Sequence, residues 1–198
     1  MSEEPEVRRR GRAARERILV AAVTLFETRG ITATGMEQVA AAAPVSKRTL
    51  YSHFPTKDDL VVGYLVHLEE AGLTLEGVLE RQDLPPRERL LALFTTPATA
   101  TGLIRGCPFI DAAAEFPDPD SPVHRYASER KARFARRLAE LAREAGATDA
   151  DVLGEQLAIL SDGASSRAMV LNDARYTQHA RAAAEVLLDA AIPASAPA

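Results

Sequence analysis

Apolar residues recur along this 198-residue chain with the 3.6-residue period of an α-helix, and no stretch longer than four residues alternates as a half-buried strand would. The pattern points to an all-α fold of about nine helices. Ile18, Ala22, Leu25 and Phe26 define the inner face of a first helix, which Gly30 stops after Arg29. Met36, Val39, Ala40 and Ala43 keep the period for only two turns before Pro44 interrupts it. Ser46 is placed to cap a third short helix, with Leu50 facing inward and Phe54 close behind. Thr56 and Asp59 have the spacing of a capping box, opening a fourth helix expected to run through Leu60, Tyr64, Leu65 and Leu68 towards Leu79.

The remainder continues in the same way. "DLPP" (83–86) ends helix four, and Pro86 suits the first turn of a fifth, reaching about Phe94. "TTPATATGLIRGCP" (95–108) is a break, followed by a short helix from Phe109 to Phe116 and a second break at "PDPD" (117–120). Ser121 and Pro122 read as the cap and first residue of a long helix to about Ala145, with Gly146 at its end. "TDAD" (148–151) opens a helix to about Leu171, and a last one from about Asp173 carries Tyr176, Ala180, Ala183, Ala184, Leu187, Leu188 and Ala191 on one stripe. The expected division is a head at 1–56, whose first eleven residues form a flexible basic arm, a helical body at 57–192, and a disordered tail at 193–198.

Charge divides the chain along the same line. Residues 8–57 carry ten Lys/Arg against three acids, whereas residues 58–198 carry fourteen bases against twenty-two acids. A basic head on an acidic body suits a polyanion partner, the alternative being a solvated first helix. One cysteine, Cys107, excludes an internal disulfide framework and fits a reducing compartment. No apolar run approaches the roughly 18 residues of a membrane span, and "MSEEPEVRRRGRAARERI" has no apolar core of a signal peptide. A cytoplasmic protein without membrane attachment is expected.

Two short helices separated by "PVS" have the layout of a helix-turn-helix, whose second helix enters the major groove of DNA. That groove, about 12 Å wide, admits one helix. Such a helix needs an apolar face to hold it on its domain and a short polar face for base edges and phosphates. "SKRTLYSH" supplies both, with Leu50 inward and Lys47, Arg48, Thr49, Tyr51 and His53 available outward. Any amphipathic helix also has polar residues outside.

The stretch "GITATGMEQVAAAAPVSKRTLYSHFPTKDDL" (30–60) resembles the DNA-binding signature of the TetR family of transcriptional regulators. The matching positions are Gly30, Thr34, Val39, Ala40, Val45, Ser46, Lys47, Leu50, Tyr51, His53, Phe54, Lys57 and Leu60. The likeness is dense over residues 12–60; further on, "RGCPFIDAAAEFPDPDSP" is similar to a segment of one subgroup. The resemblance implies a ligand-responsive regulator, more commonly a repressor than an activator, that binds a palindromic double-stranded DNA operator as a homodimer and is released by a small-molecule inducer. It implies no cofactor beyond that unidentified effector. By the same resemblance, Tyr51 and His53 contact phosphates or sugars, Lys57 clamps the backbone at the start of helix four, and Thr34 caps or contacts phosphate beside helix two. Gly35, through its backbone, and Ser46 contact DNA at the starts of helices two and three, which they also cap, and Lys47, Arg48 and Thr49 are candidates for base edges. Arg8, Arg9, Arg10 and Arg12 either follow a minor groove or form a solubilising tail.

Three positions depart from the family pattern. Gly35 stands in place of a hydroxyl cap, and Arg48 adds a long cation where Gly is common. Pro44 replaces the turn Gly that supplies a positive φ, which proline is not expected to adopt.

The resemblance assigns the C-terminal helices to a ligand pocket and a dimer interface. Gly154, Ala158, Ser161 and Ser165 form a small-residue face suited to close approach, either of a symmetry mate in a four-helix bundle or of helix seven within the chain. Phe94, Cys107, Phe109, Phe116, Tyr126, Phe134 and Met169 are candidates for an apolar cavity or for ordinary core. Cys107, with only Arg105 nearby to lower its pKa, is either a sensor thiol or a buried inert one. An enzyme is disfavoured: His53, His67, His124 and His179 show no metal-ligand spacing, and no GxSxG, P-loop or GxGxxG occurs. Asp111 and Glu115 share a helix face, as paired carboxylates do at some active sites and at many solvated surfaces. A helical interaction module without DNA binding is the other alternative.

Overall fold

The computed structural model describes residues 3–95 and 104–193, with the side chains from residue 11 onward. Among these residues the chain forms nine α-helices and one 3-10 helix, with no strand. The helices are α1 (Glu3–Arg29), α2 (Met36–Ala42), α3 (Lys47–His53), α4 (Lys57–Glu70), α5 (Pro86–Ala92), α6 (Pro108–Glu115), α7 (Pro122–Glu144), α8 (Ala150–Leu171) and α9 (Arg175–Ala191), with the 3-10 helix at Leu75–Glu80 between α4 and α5. No described helix is long and apolar enough to cross a membrane.

Two boundaries differ from the sequence reading. The backbone is helical from Glu3, so residues 3–11 of the segment expected to be a flexible arm are the first turns of α1. The expected run of helix four to Leu79 stops at Glu70, because Gly72 takes φ 65° and the following residues tighten into the 3-10 turn. The expected tail lies outside the described residues except for Pro193, as do residues 96–103 of the 95–108 break.

The chain divides into two compact units. One takes the chain up to Ala71 together with Ala112–Ala127; the other takes Gly72–Asp111 together with the chain from Ser128 onward. The division therefore falls after α4 and within α6, not at residue 56. In the first unit Ile18, Ala22, Phe26, Val39, Leu50, Phe54, Leu60 and Leu65 are buried together with Tyr64, whose ring meets Phe26 edge-on at 5.2 Å. The core of the second unit is built from Leu90, Leu91, Phe94, Phe134, Leu138, Leu141, Leu153, Leu157, Ala184 and Leu188.

The turn between α2 and α3 corrects the expectation for Pro44. Its φ is 27°, and Val45 N–H donates to Ala40 O at 3.1 Å, the bond that closes a Schellman turn. The chain reverses as it would with glycine, but in a ring whose φ prefers about −65° and without an N–H for the companion bond.

Of the two neighbours expected for the small-residue face of α8, the structure shows the second, α7. A Cβ on Gly154 would lie 2.7 Å from the backbone nitrogen of Ala139 in α7. Ala158 is buried, while Ser161 and Ser165 line cavities described below. Packing on α7 explains the stripe. What α8 and α9 leave exposed is a different set: Val152, Ile159, Val170 and Leu171 on α8, and Val186 on α9.

Two substitutions check this account. Pro44→Gly should leave the unfolding free energy in urea titration unchanged or raised, because glycine takes a positive φ freely and adds an N–H, against its larger unfolded-state entropy; a clear loss of stability would contradict the positive φ of this turn. Gly154→Ala should lower it by about 1–3 kcal/mol, because the added methyl meets backbone that cannot rotate away; a neutral result would show that α7 and α8 are not in close contact.

Candidate nucleic-acid interface

Helix α3 is only seven residues long, too short to be stable on its own. Leu50, with 0% of its surface exposed, and Phe54 pin it to the first unit, and the Arg15 guanidinium lies 5.5 Å from the Phe54 ring centre. At its start, Ser46 Oγ accepts from Thr49 N–H at 3.1 Å. At the start of α2, where Gly35 offers no side chain, Gln38 reaches back to accept from Gly35 N–H at 2.8 Å. The Thr56–Asp59 capping box expected for α4 is formed, with Asp59 N–H donating to Thr56 Oγ1 at 3.1 Å and Thr56 N–H donating to Asp59 at 3.0 Å.

The predicted contact residues do not all stand equally free. Arg48 is exposed and has no carboxylate partner among the described residues, and Tyr51 is 47% exposed. Lys47 is exposed but ion-paired with Glu37. Thr49 is half-buried, its hydroxyl 2.8 Å from that of Ser46. His53 is half-buried, 3.9 Å from where a Cβ on Gly11 of α1 would lie. Gly35 is exposed, with its backbone extended at φ −83°.

Thr34 departs from its expected role. It is 1% exposed, and its hydroxyl donates to Gly30 O at 2.8 Å, so it closes the end of α1 and is not available to a phosphate. Lys57 is half-buried, with its ammonium donating to Thr32 O at 3.0 Å. Burial lowers its pKa, against the Glu115 and Asp58 carboxylates, which raise it.

Sequence reasoning missed Glu115. Its carboxylate accepts from Ile31 N–H at 3.0 Å, from Thr32 N–H at 2.5 Å and from the Thr32 hydroxyl, beside Gly30 at φ 90°. It thereby fixes the loop that leads from α1 into α2. Burial pushes this carboxyl up, but the three donors and Lys57 outweigh it and hold the pKa below its usual 4.5. No local signal marks the role, since the partners lie more than eighty residues apart.

Of the cavity candidates, Phe94 lines a chamber of about 140 Å³ in the second unit, together with Leu75, Leu93, Ile104, Ala164 and Ala168. Cys107, Phe109 and Phe134 line a neighbouring chamber of about 220 Å³. Tyr126 and Phe116 belong to the first unit, where the Tyr126 hydroxyl donates to Glu69 at 3.2 Å. Met169 lines neither chamber and instead packs on Gly106. Burial pushes the Cys107 thiol up, and the nearby cation is Lys131 rather than Arg105. Among the described residues no group of three or more His, Cys, Asp or Glu is placed to hold a metal ion.

The Glu115 carboxylate carries a pH signature. Its folded pKa is depressed, so its stabilisation is complete above about pH 4.5 and is lost as pH falls through the lower folded value. Glu115→Gln should cost about 1–2 kcal/mol at pH 7 and flatten the acid limb of the stability profile. A variant with wild-type stability at pH 7 and an unchanged acid limb would contradict the anchoring.

Known proteins place this geometry. The model for bacterial regulatory proteins of the tetR family matches residues 18–63, and that for the tetracyclin repressor-like C-terminal domain matches residues 86–184. An uncharacterised HTH-type transcriptional regulator of Mycobacterium tuberculosis is 40% identical over 89 residues, 44% of this chain and 44% of its own length, so the chain aligns with less than half of that relative. The crystal structure of a putative tetR-transcriptional regulator from Streptomyces avermitilis is similar at 34% identity and a TM-score of 0.78, over 90% of this chain and 97% of that one. A TetR-family regulator from Streptomyces coelicolor is similar at 27% identity and a TM-score of 0.77, over 91% of this chain and 97% of its own. With α2, its turn and α3 built as a helix-turn-helix, the chain belongs to the TetR family of DNA-binding transcriptional regulators, a family of regulators and not of enzymes.

Proposed function

We propose that this chain is a cytoplasmic repressor that binds a palindromic operator as a homodimer and leaves it when a small molecule occupies the second unit. The observation that carries the reading is the exposed face of α3: Arg48 and Tyr51 stand outward on a helix that Leu50 pins from behind. Phosphate binding favours such a basic, aromatic face, and a bidentate Arg–guanine contact supplies base discrimination. Lys47 and Lys57 join it by exchanging Glu37 and the Thr32 carbonyl for phosphate oxygens.

One α3 makes few contacts, whereas two in a symmetric dimer read half-sites one helical turn apart. The exposed valines and isoleucine of α8 and α9 support pairing with a second copy. The two chambers support an effector, because they combine apolar walls with a few polar side chains. Pro108 and Phe109 at the start of α6 line a chamber, and Glu115 at its end holds the α1–α2 loop, which makes α6 the element on which an effector acts.

Wild-type protein should shift DNA from upstream of its own gene, with affinity falling steeply as salt rises. Arg48→Ala should weaken binding by about 1–3 kcal/mol and relax base preference at one position. Tyr51→Phe should weaken all sequences alike. Unchanged affinity in both variants would sink the assignment of α3.

A further inference from the structure

We infer that the second unit takes an amphiphile with an anionic head, its apolar body in the smaller chamber and its head on Arg105. The inference rests on the reading of this unit as the effector-binding part.

The two chambers share Leu75, Arg105, Ser161 and Ser165, so they adjoin at those residues. Their chemistry differs. The smaller is walled by Leu75, Leu93, Phe94, Ile104, Ala164 and Ala168, a surface that gains from covering by hydrocarbon. The larger carries Glu76, Lys131 and Asp162. These three charges are already balanced: Asp162 pairs with Lys131, and Glu76 with Arg130, whose side chain is almost wholly buried. The thiol of Cys107, pushed up by its burial, adds no charge at neutral pH.

Arg105 is the exception. It lines both chambers, and among the described residues it has no hydrogen-bond or ion-pair partner. With the two ion pairs neutral, its exposed guanidinium is the one cation of the two linings that no carboxylate matches. A carboxylate or similar anion there meets a fork of donors, with the Ser161 and Ser165 hydroxyls beside it. An ammonium head meets a like charge, and both carboxylates of the lining are held by other cations. An uncharged head leaves the guanidinium to water.

Octanoate, 1-octanol and octylamine present one body with three heads. Each is titrated calorimetrically into the full chain and into its Arg105→Gln variant. Octanoate should bind the wild type most tightly of the three, and the variant should lose about tenfold or more of its affinity for octanoate, the worth of a charge-assisted hydrogen bond. The variant's affinity for octanol should match the wild type's. Equal octanoate affinity in the two proteins, octylamine binding as tightly as octanoate, or no binding of any of the three would overturn the proposal. A parallel DNA-binding titration keeps the two readings apart: octanoate that binds through Arg105 without releasing DNA supports the headgroup and contradicts the effector role.

Discussion

The burial of Leu50 is the contact on which the DNA-facing part of this protein depends. A two-turn helix has no stability of its own, since nucleation costs more than so few hydrogen bonds return. Sequestering one leucine side chain contributes about 2 kcal/mol, and Phe54 adds a second anchor at the other end of the same face. The Ser46 cap removes an orphan donor at the start. These local terms leave α3 with one orientation, so that Arg48 and Tyr51 point to solvent rather than into the core. A reading helix works because its back is apolar and fully committed.

Glu115 does for the approach to that motif what Leu50 does for α3. Three donors and a neighbouring ammonium converge on one carboxylate, which offsets the desolvation that half-burial imposes. The loop it holds contains Gly30 at positive φ and leads directly into the Gly35-capped start of α2. Moving Glu115 therefore moves the start of the helix-turn-helix.

Local physics made most of the helices legible in the sequence. Ser46, Thr56 with Asp59, and Pro86 act within one helical turn of themselves, and the structure places each at the start of its helix. Leu50 faced inward by periodicity alone. What escaped was whatever depends on a distant partner. Thr34 matches a family position but spends its hydroxyl on the end of α1. The small face of α8 was visible as a face, yet periodicity does not say which neighbour fills it; α7 does. Glu115 looked like one of two solvated carboxylates, because its donors lie in another part of the chain. Pro44 was misjudged for a different reason: the chain takes the glycine-like turn there, closed by the hydrogen bond from Val45 to Ala40.

The central claim, that the face of α3 reads base pairs, is tested most directly by selecting DNA bound by the intact protein from a random duplex pool. The account predicts enrichment of an inverted repeat with half-sites about one helical turn apart, and loss of one conserved guanine from each half-site when the selection is repeated with Arg48→Ala. Retention of random sequences at low salt with no enriched repeat would mean that the basic head binds phosphate alone, and would contradict the claim.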